Sequence, residues 1–233
     1  MKLSKTKLDL LNYFKLNATF KNWAIFFNQE LKKSYFFLFL KKIKKEYQNN
    51  NCSPKKELIF LIFSLIKPTK IKLIIIGQDP YLNNNVANGI AFDVLNQNKL
   101  PASLKNLTKE YNKSFNSNFL KIPFLDLIKQ NVFFYNIVLS NNGSKILSHQ
   151  NIGYLIFTNN LLKYLAKINK NILIVSFGKK FKNLILKSGF KNYFCFFHPS
   201  PQSYHLLKKQ NPFLKIEQFL QKEKQNIYWI KKN

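Results

Sequence analysis

The chain has 233 residues, 46% of them hydrophobic, which suits one medium domain with a sizeable core and excludes a disordered polymer. Its 38 basic residues are all lysine and stand against 10 acidic ones, a formal net charge of +28. A polyanion such as nucleic acid is the natural partner of that field, with a membrane surface as the competing electrostatic reading. The lysine, asparagine, isoleucine and phenylalanine excess also has the look of drift toward A/T-rich codons.

Two cysteines, Cys52 and Cys195, form neither a disulfide framework nor a metal-ligand spacing, and they fit a reducing cytoplasm. No sustained apolar run follows the charges of residues 1–5, so no signal peptide is expected. The longest apolar stretches, around 35–40 and 58–66, are too short for a membrane span.

Residues 7–49 read as helical. Trp23, Ala24, Phe26, Phe27 and Leu31 recur at helical spacing, and Phe36, Phe37, Leu40 and Ile43 share one side of a lysine-rich stretch. Asn49–Asn51 form a loop, and Ser53-Pro54 opens a helix expected over 55–65. A first strand over 71–76 then ends abruptly at Gly77-Gln78-Asp79-Pro80-Tyr81. An apolar piece, 89–94, and a helix over 104–111 with Ser103 as its N-cap come next, then a loop and a helix over 124–129.

A second strand over 132–135 ends at Asn136, and a helix spans 154–168. A third strand, 171–176, ends at Gly178-Lys179, and a helix over 181–187 stops at Gly189. A fourth strand, 193–197, ends at His198-Pro199-Ser200-Pro201-Gln202-Ser203, before a last helix over 212–224. Strands that are continuous apolar runs alternating with helices predict an α/β fold: a three-layer α/β/α sandwich around a four-stranded, mainly parallel sheet, in one domain, 1–233. Such a sheet brings Asp79, Asn136, Gly178 and His198 to one edge, where ligand sites of open α/β sheets gather.

That edge offers a carboxylate, a carboxamide, an imidazole, aromatics and small hydroxyls. It has no nucleophilic cysteine, glycine-rich phosphate loop, metal-ligand set or Gly-x-Ser-x-Gly elbow. Asparagine can read a base edge, an aromatic can stack on the base, and serines flanked by proline suit phosphates. Taken singly, each residue has a plainer reading. Asp79-Pro80 is a turn, Phe92 is one of 24 phenylalanines, Asn136 ends a strand, and His198 is a structural histidine.

In order, however, the motifs resemble those of the family-1 uracil-DNA glycosylases over about residues 20–205. The elements are Gly77-Gln78-Asp79-Pro80-Tyr81, Gly89-Ile90-Ala91-Phe92 after a seven-residue gap, Pro101-Ala102-Ser103-Leu104, Asn136, Ser148-His149 with Gly153-Tyr154, and His198-Pro199-Ser200-Pro201-x-Ser203. The resemblance implies flipping of a uracil nucleotide out of DNA and hydrolysis of its glycosidic bond, with no metal or cofactor. It implies that Asp79 positions water and faces the cationic sugar, and that neutral His198 stabilises charge on uracil O2. Phe92 would stack on the base, Asn136 read its edge, Tyr81 exclude the thymine methyl, and Gln78 contact base and phosphate. Pro101, Ser103, Gly178, Lys179, Ser200, Gln202 and Ser203 would meet DNA. The implied partners are uracil-containing DNA, single- or double-stranded, and free uracil as product. A cytoplasmic monomer that binds no membrane is expected.

Several positions depart from the pattern. Leu82 and Asn88 stand where the family usually has histidine, and Lys179 replaces a serine. Gln202 holds the wedge position normally occupied by leucine, and Leu206–Lys209 replace an Arg/Gly-rich segment. Weaker flipping from duplex DNA and a relative preference for single strands follow. The alternative is a basic nucleic-acid-binding protein of the same fold with lost or broadened activity. His149 reads as a loop or hydrogen-bonding residue, and His205 has no role.

Overall fold

The computed structural model describes residues 5–96 and 99–230. The N-terminal residues 1–4, on which the signal-peptide expectation bears, lie outside them. The expected helical stretch 7–49 is three helices, α1 (Lys5–Tyr13), α2 (Leu16–Leu31) and α3 (Ser34–Asn49). Lys15, with left-handed backbone at φ 51°, separates the first two. Trp23, where α2 bends, is fully buried, and its indole N–H donates to Ile66 O at 2.8 Å.

The helix expected over 55–65 is instead a 3-10 turn, Lys56–Leu58, and a short α4 (Leu61–Leu65). The break leaves the Leu58 carbonyl facing Gly89, where a Cβ would lie 2.0 Å from it. A continuous helix would have turned that carbonyl along its own axis.

Strands β1 (Leu73–Gly77), β2 (Val132–Asn136), β3 (Leu173–Phe177) and β4 (Asn192–Phe196) form one sheet in the order β2-β1-β3-β4. Every pairing is parallel. Side-chain alternation sends β2 residues to two different layers. Phe133 meets Trp23 and Phe63, and Tyr135 meets Phe63 and donates to or accepts from Thr158 Oγ1 of α7 (Tyr154–Ile168), so α2, α4 and α7 cover one face. Phe134 points the other way, onto Phe124 of α6 (Phe124–Lys129). Phe177 and Phe194 reach Phe213 and Phe219 on that same face. The three-layer sandwich is therefore present, with all its strands parallel among the described residues.

The remaining helices are α5 (Ala102–Phe115), α8 (Lys182–Leu186), α9 (Tyr204–Leu207) and α10 (Pro212–Lys222). Two expectations fail in α5. Pro101, not Ser103, holds the N-cap position, so the Ser103 hydroxyl is not spent on capping. The helix also runs on to Phe115, because Tyr111 and Phe115 pack against Phe213 and Trp229. Helix α9 was not anticipated. No helix of the described residues is long and apolar enough to cross a membrane.

Candidate active site

Parallel strands deliver their C-terminal ends to one edge, and a cavity of about 220 Å³ opens there. Gln78, Asp79, Tyr81, Phe92, Ser103, Asn136 and His198 all line it, together with Leu82, Asp93 and Ile146. Residues up to 120 positions apart in sequence thus share one wall, as the strand-end reading required.

Asp79 leaves β1 two residues after its last paired position. Its Oδ2 accepts the Leu147 N–H at 2.7 Å, and its Oδ1 accepts the Gln78 amide at 3.3 Å. Leu147 presents that N–H from a left-handed backbone, φ 56°, a strained state for a leucine. Burial raises the Asp79 pKa above the usual carboxylate value; the Leu147 and Gln78 hydrogen bonds, the Asn141 amide and the Lys180 charge oppose it.

Asn136 is the last residue of β2 and pairs in register with Gly77 of β1. It is buried, with its amide folded across Gly77. Phe92 stands beside it at φ 68°, its ring edge-to-face with Phe177 at 5.7 Å. The Tyr81 hydroxyl donates to Phe92 O at 3.1 Å, which ties the two aromatic walls together. Burial pushes the Tyr81 phenol well above its ordinary range, so it stays a neutral donor.

A polar knot behind Phe92 holds this turn. Asp93 is buried and accepts from Asn88 Nδ2 at 2.7 Å, Val94 N at 2.8 Å and Lys121 Nζ at 2.6 Å. Asn88 Oδ1 in turn accepts Ile90 N at 3.0 Å. Asn88, at a usual histidine position, therefore braces the Phe92 turn through both ends of its amide. Lys121 carried no sequence signal, since it is one lysine among 38.

His198 follows β4 by two residues. Its Nδ1 accepts the Ser200 N–H at 3.1 Å, which leaves Nε2 to carry the ring proton in the neutral form. Burial lowers its pKa. Ser203 Oγ donates to His198 O at 2.8 Å and lies 3.0 Å from Ser200 Oγ, so both serines belong to the histidine loop rather than to the cavity wall. Asn106 of α5 donates to Pro199 O at 2.9 Å, and Gln210 accepts Phe197 N at 2.7 Å. These two supports were missed because single amides in helical or lysine-rich surroundings have no distinguishing pattern.

The remaining predicted residues, Pro101, Gly178, Lys179, Ser200, Gln202 and Ser203, do not line the cavity. Pro101 sets the start of the helix that carries Ser103. Gly178 abuts His198, whose Cδ2 would lie 3.7 Å from a Cβ at that glycine. Lys179 and Gln202 are exposed, Lys179 with its ammonium 5.1 Å from the Phe197 ring centroid. His149 is a buried hydrogen-bonding residue, as expected, with Nδ1 2.9 Å from Ser140 Oγ and Nε2 3.4 Å from Glu46. Among the described residues no group of three or more His, Cys, Asp or Glu side chains could hold a metal ion.

The family model for the Uracil DNA glycosylase superfamily matches residues 63–221. The chain belongs to this superfamily. A protein of Mycoplasmopsis pulmonis named Uracil-DNA glycosylase is 38% identical over 218 residues, covering 90% of this chain and 97% of that one. A protein of the same name from Borreliella burgdorferi is 37% identical over 223 residues, covering 89% and 96%. Among solved structures, mimivirus uracil-DNA glycosylase superposes with a TM-score of 0.83 at 24% identity, over 95% of this chain and 91% of that one, a likeness of fold. Leu82 and the exposed Ile146 add apolar surface to the cavity lining.

Proposed function

We infer that the chain is a DNA-repair glycosylase that hydrolyses the N-glycosidic bond of uracil in DNA, leaving an abasic site and free uracil. One observation carries the reading. Asp79, Asn136 and His198, from the ends of three strands, face a single cavity walled by Phe92 and Tyr81. A carboxylate, a base-reading amide and an imidazole donor around an aromatic platform suit a flipped nucleotide.

In this reading the base stacks on Phe92, while the Asn136 amide bonds its N3–H and O4. Tyr81 walls the C5 position, so a thymine methyl meets the ring. Gln78 contacts base and phosphate. As the C1′–N1 bond breaks, its electron pair leaves with uracil. Charge growing on O2 is met by His198 Nε2–H. Asp79 stabilises the cationic sugar and orients the water whose oxygen bonds C1′; the water's proton passes to the Asp79 carboxylate and is then released, and the uracil anion takes up a proton to leave as free uracil. Pro101, Ser103, Gly178, Lys179, Ser200, Gln202 and Ser203 grip the strand around the mouth, and the +28 charge draws DNA in with strong salt dependence. The protein acts as a cytoplasmic monomer, away from membranes and without metal or cofactor. The sparse, unpatterned cysteines, Cys52 and Cys195, fit a reducing cytoplasm.

Uracil release from a single-stranded uracil oligonucleotide tests the reading with native protein, Asp79→Asn and Tyr81→Ala. Native release, its loss in Asp79→Asn and thymine release by Tyr81→Ala are the expected results. Binding without release by native protein would overturn it in favour of a basic nucleic-acid-binding protein of the same fold.

A further inference from the structure

Beyond Gly77 the loop that carries Asp79 keeps one backbone hydrogen bond to the chain after β2, Val138 N to Gln78 O at 3.1 Å, and then belongs to neither strand nor helix. Its two carbonyls next after Asp79 are nonetheless both taken by side chains. Asn141 Nδ2 donates to Pro80 O at 2.7 Å, and Ser53 Oγ donates to Tyr81 O. Those two donors are locked to each other. Ser53 N donates to Asn141 O at 3.0 Å and Asn141 N to Ser53 O at 2.9 Å, an isolated antiparallel bridge. Both residues are fully buried.

The lock extends outward on each side. Asn141 Oδ1 accepts Gly143 N at 3.0 Å. At Gly143, φ +76°, a Cβ would lie 2.1 Å from Asn51 O, so the two loops touch backbone to backbone. Asn84, beyond the Asp79 loop, donates to Asn51 Oδ1 at 2.6 Å. The loop opened by Asn141 also supplies the Leu147 N–H to the Asp79 carboxylate. Asn141 therefore ties the backbone of the Asp79 loop to the loop carrying its carboxylate's partner.

We propose that Ser53 and Asn141 form a clasp that holds the Asp79 carboxylate in its reacting position, and that both are positioning residues for uracil excision. Ser53 lies ahead of residues 63–221, so the clasp recruits the chain before the family-defining stretch. Orientation is where such a clasp acts, because a carboxylate displaced by about 1 Å loses on the order of a hundredfold in rate. Gln78 and Tyr81 share this loop, but most of the substrate grip comes from other elements, Phe92, Asn136 and the serine-bearing loops, and is left alone.

The proposal rests on the excision reading, so native release is measured first. Single-turnover excision is then compared with binding of a non-hydrolysable 2′-fluoro-deoxyuridine oligonucleotide for Ser53→Ala and Asn141→Ala. Ser53→Ala is expected to slow excision about tenfold, one hydrogen bond's worth, and Asn141→Ala about a hundredfold, with affinity within about twofold of native. Asn141→Ala also shifts the acid limb of the rate to higher pH, since the Asn141 amide helps keep Asp79 ionised; the other groups facing the carboxylate are Gln78, the Leu147 N–H, Lys180 and His198. Ser53→Ala deletes one hydroxyl and keeps the test open if Asn141→Ala fails to fold. Native protein that releases no uracil overturns the excision reading and the clasp with it. Native release with variants at native rate, or with rate and affinity falling together, overturns the clasp alone.

Discussion

The side-chain oxygen of Asn136 occupies the space that a methyl group on Gly77 would need: a Cβ built there would lie 2.1 Å from Asn136 Oδ1 and 3.1 Å from Ala91 Cβ. The two residues are register partners on neighbouring parallel strands. Gly77 is thus a glycine for clearance, so that the Asn136 amide can lie across β1. Gly77→Ala is expected to swing the amide away and reduce excision by about a hundredfold. A variant with native rate and a native melting temperature would mean that Asn136 has another place to go.

Asp79 couples activity to stability. Its pKa is raised by burial in the folded state, so the stability it contributes is full below the unfolded carboxylate value near 4 and is lost as pH rises through the folded value. At neutral pH the ionised, buried carboxylate therefore destabilises the fold. Asp79→Asn should melt at a higher temperature than native protein at pH 7, with the difference narrowing toward pH 4, while excision falls by at least about a hundredfold. Equal melting temperatures at pH 7 would contradict the burial argument.

His198 works in the opposite sense. Burial lowers its pKa, and Ser200 N–H occupies Nδ1, so the folded state favours neutral imidazole. The linked stability is full above the unfolded value near 6.5 and declines as pH falls through the lowered folded value. Excision should accordingly hold level between pH 6.5 and 8, and His198→Ala should cost about 10²–10³-fold. A rate that drops across that interval with loss of one proton would show imidazolium doing the work instead.

At the wedge position, exposed Gln202 buries less apolar surface than leucine would when it fills the gap left by a flipped base. Gln202→Leu is expected to raise excision from duplex DNA several-fold and leave the single-stranded rate unchanged. Parallel assays on one oligonucleotide, with and without its complement, check this, and an unchanged duplex rate would dismiss the wedge reading.

Much of this site was legible because its residues sit at punctuation marks. Asp79, Asn136 and His198 each follow a continuous apolar run, and parallel topology makes run endings neighbours. Element boundaries were less legible. Ser103 looked like a cap because serine favours N-caps, yet Pro101 took that position and the hydroxyl went to the cavity. The break at 59–60 was hidden, since Ile59 and Phe60 read as helical core and only the approach of Gly89 to the Leu58 carbonyl explains it.

By itself, the order of apolar runs and their polar endings determined the sheet, the family motifs and the main side chains of the cavity. That information is local, and local pattern suffices for it. The tertiary structure alone decided what holds those side chains still. The Asn88–Asp93–Lys121 knot, the Leu147 N–H on Asp79, the Ser200 N–H on His198 and the Ser53–Asn141 clasp are hydrogen bonds, several between residues distant in sequence. Asparagine, serine and lysine are abundant throughout this chain, and only burial in the folded state gives a few of them fixed partners.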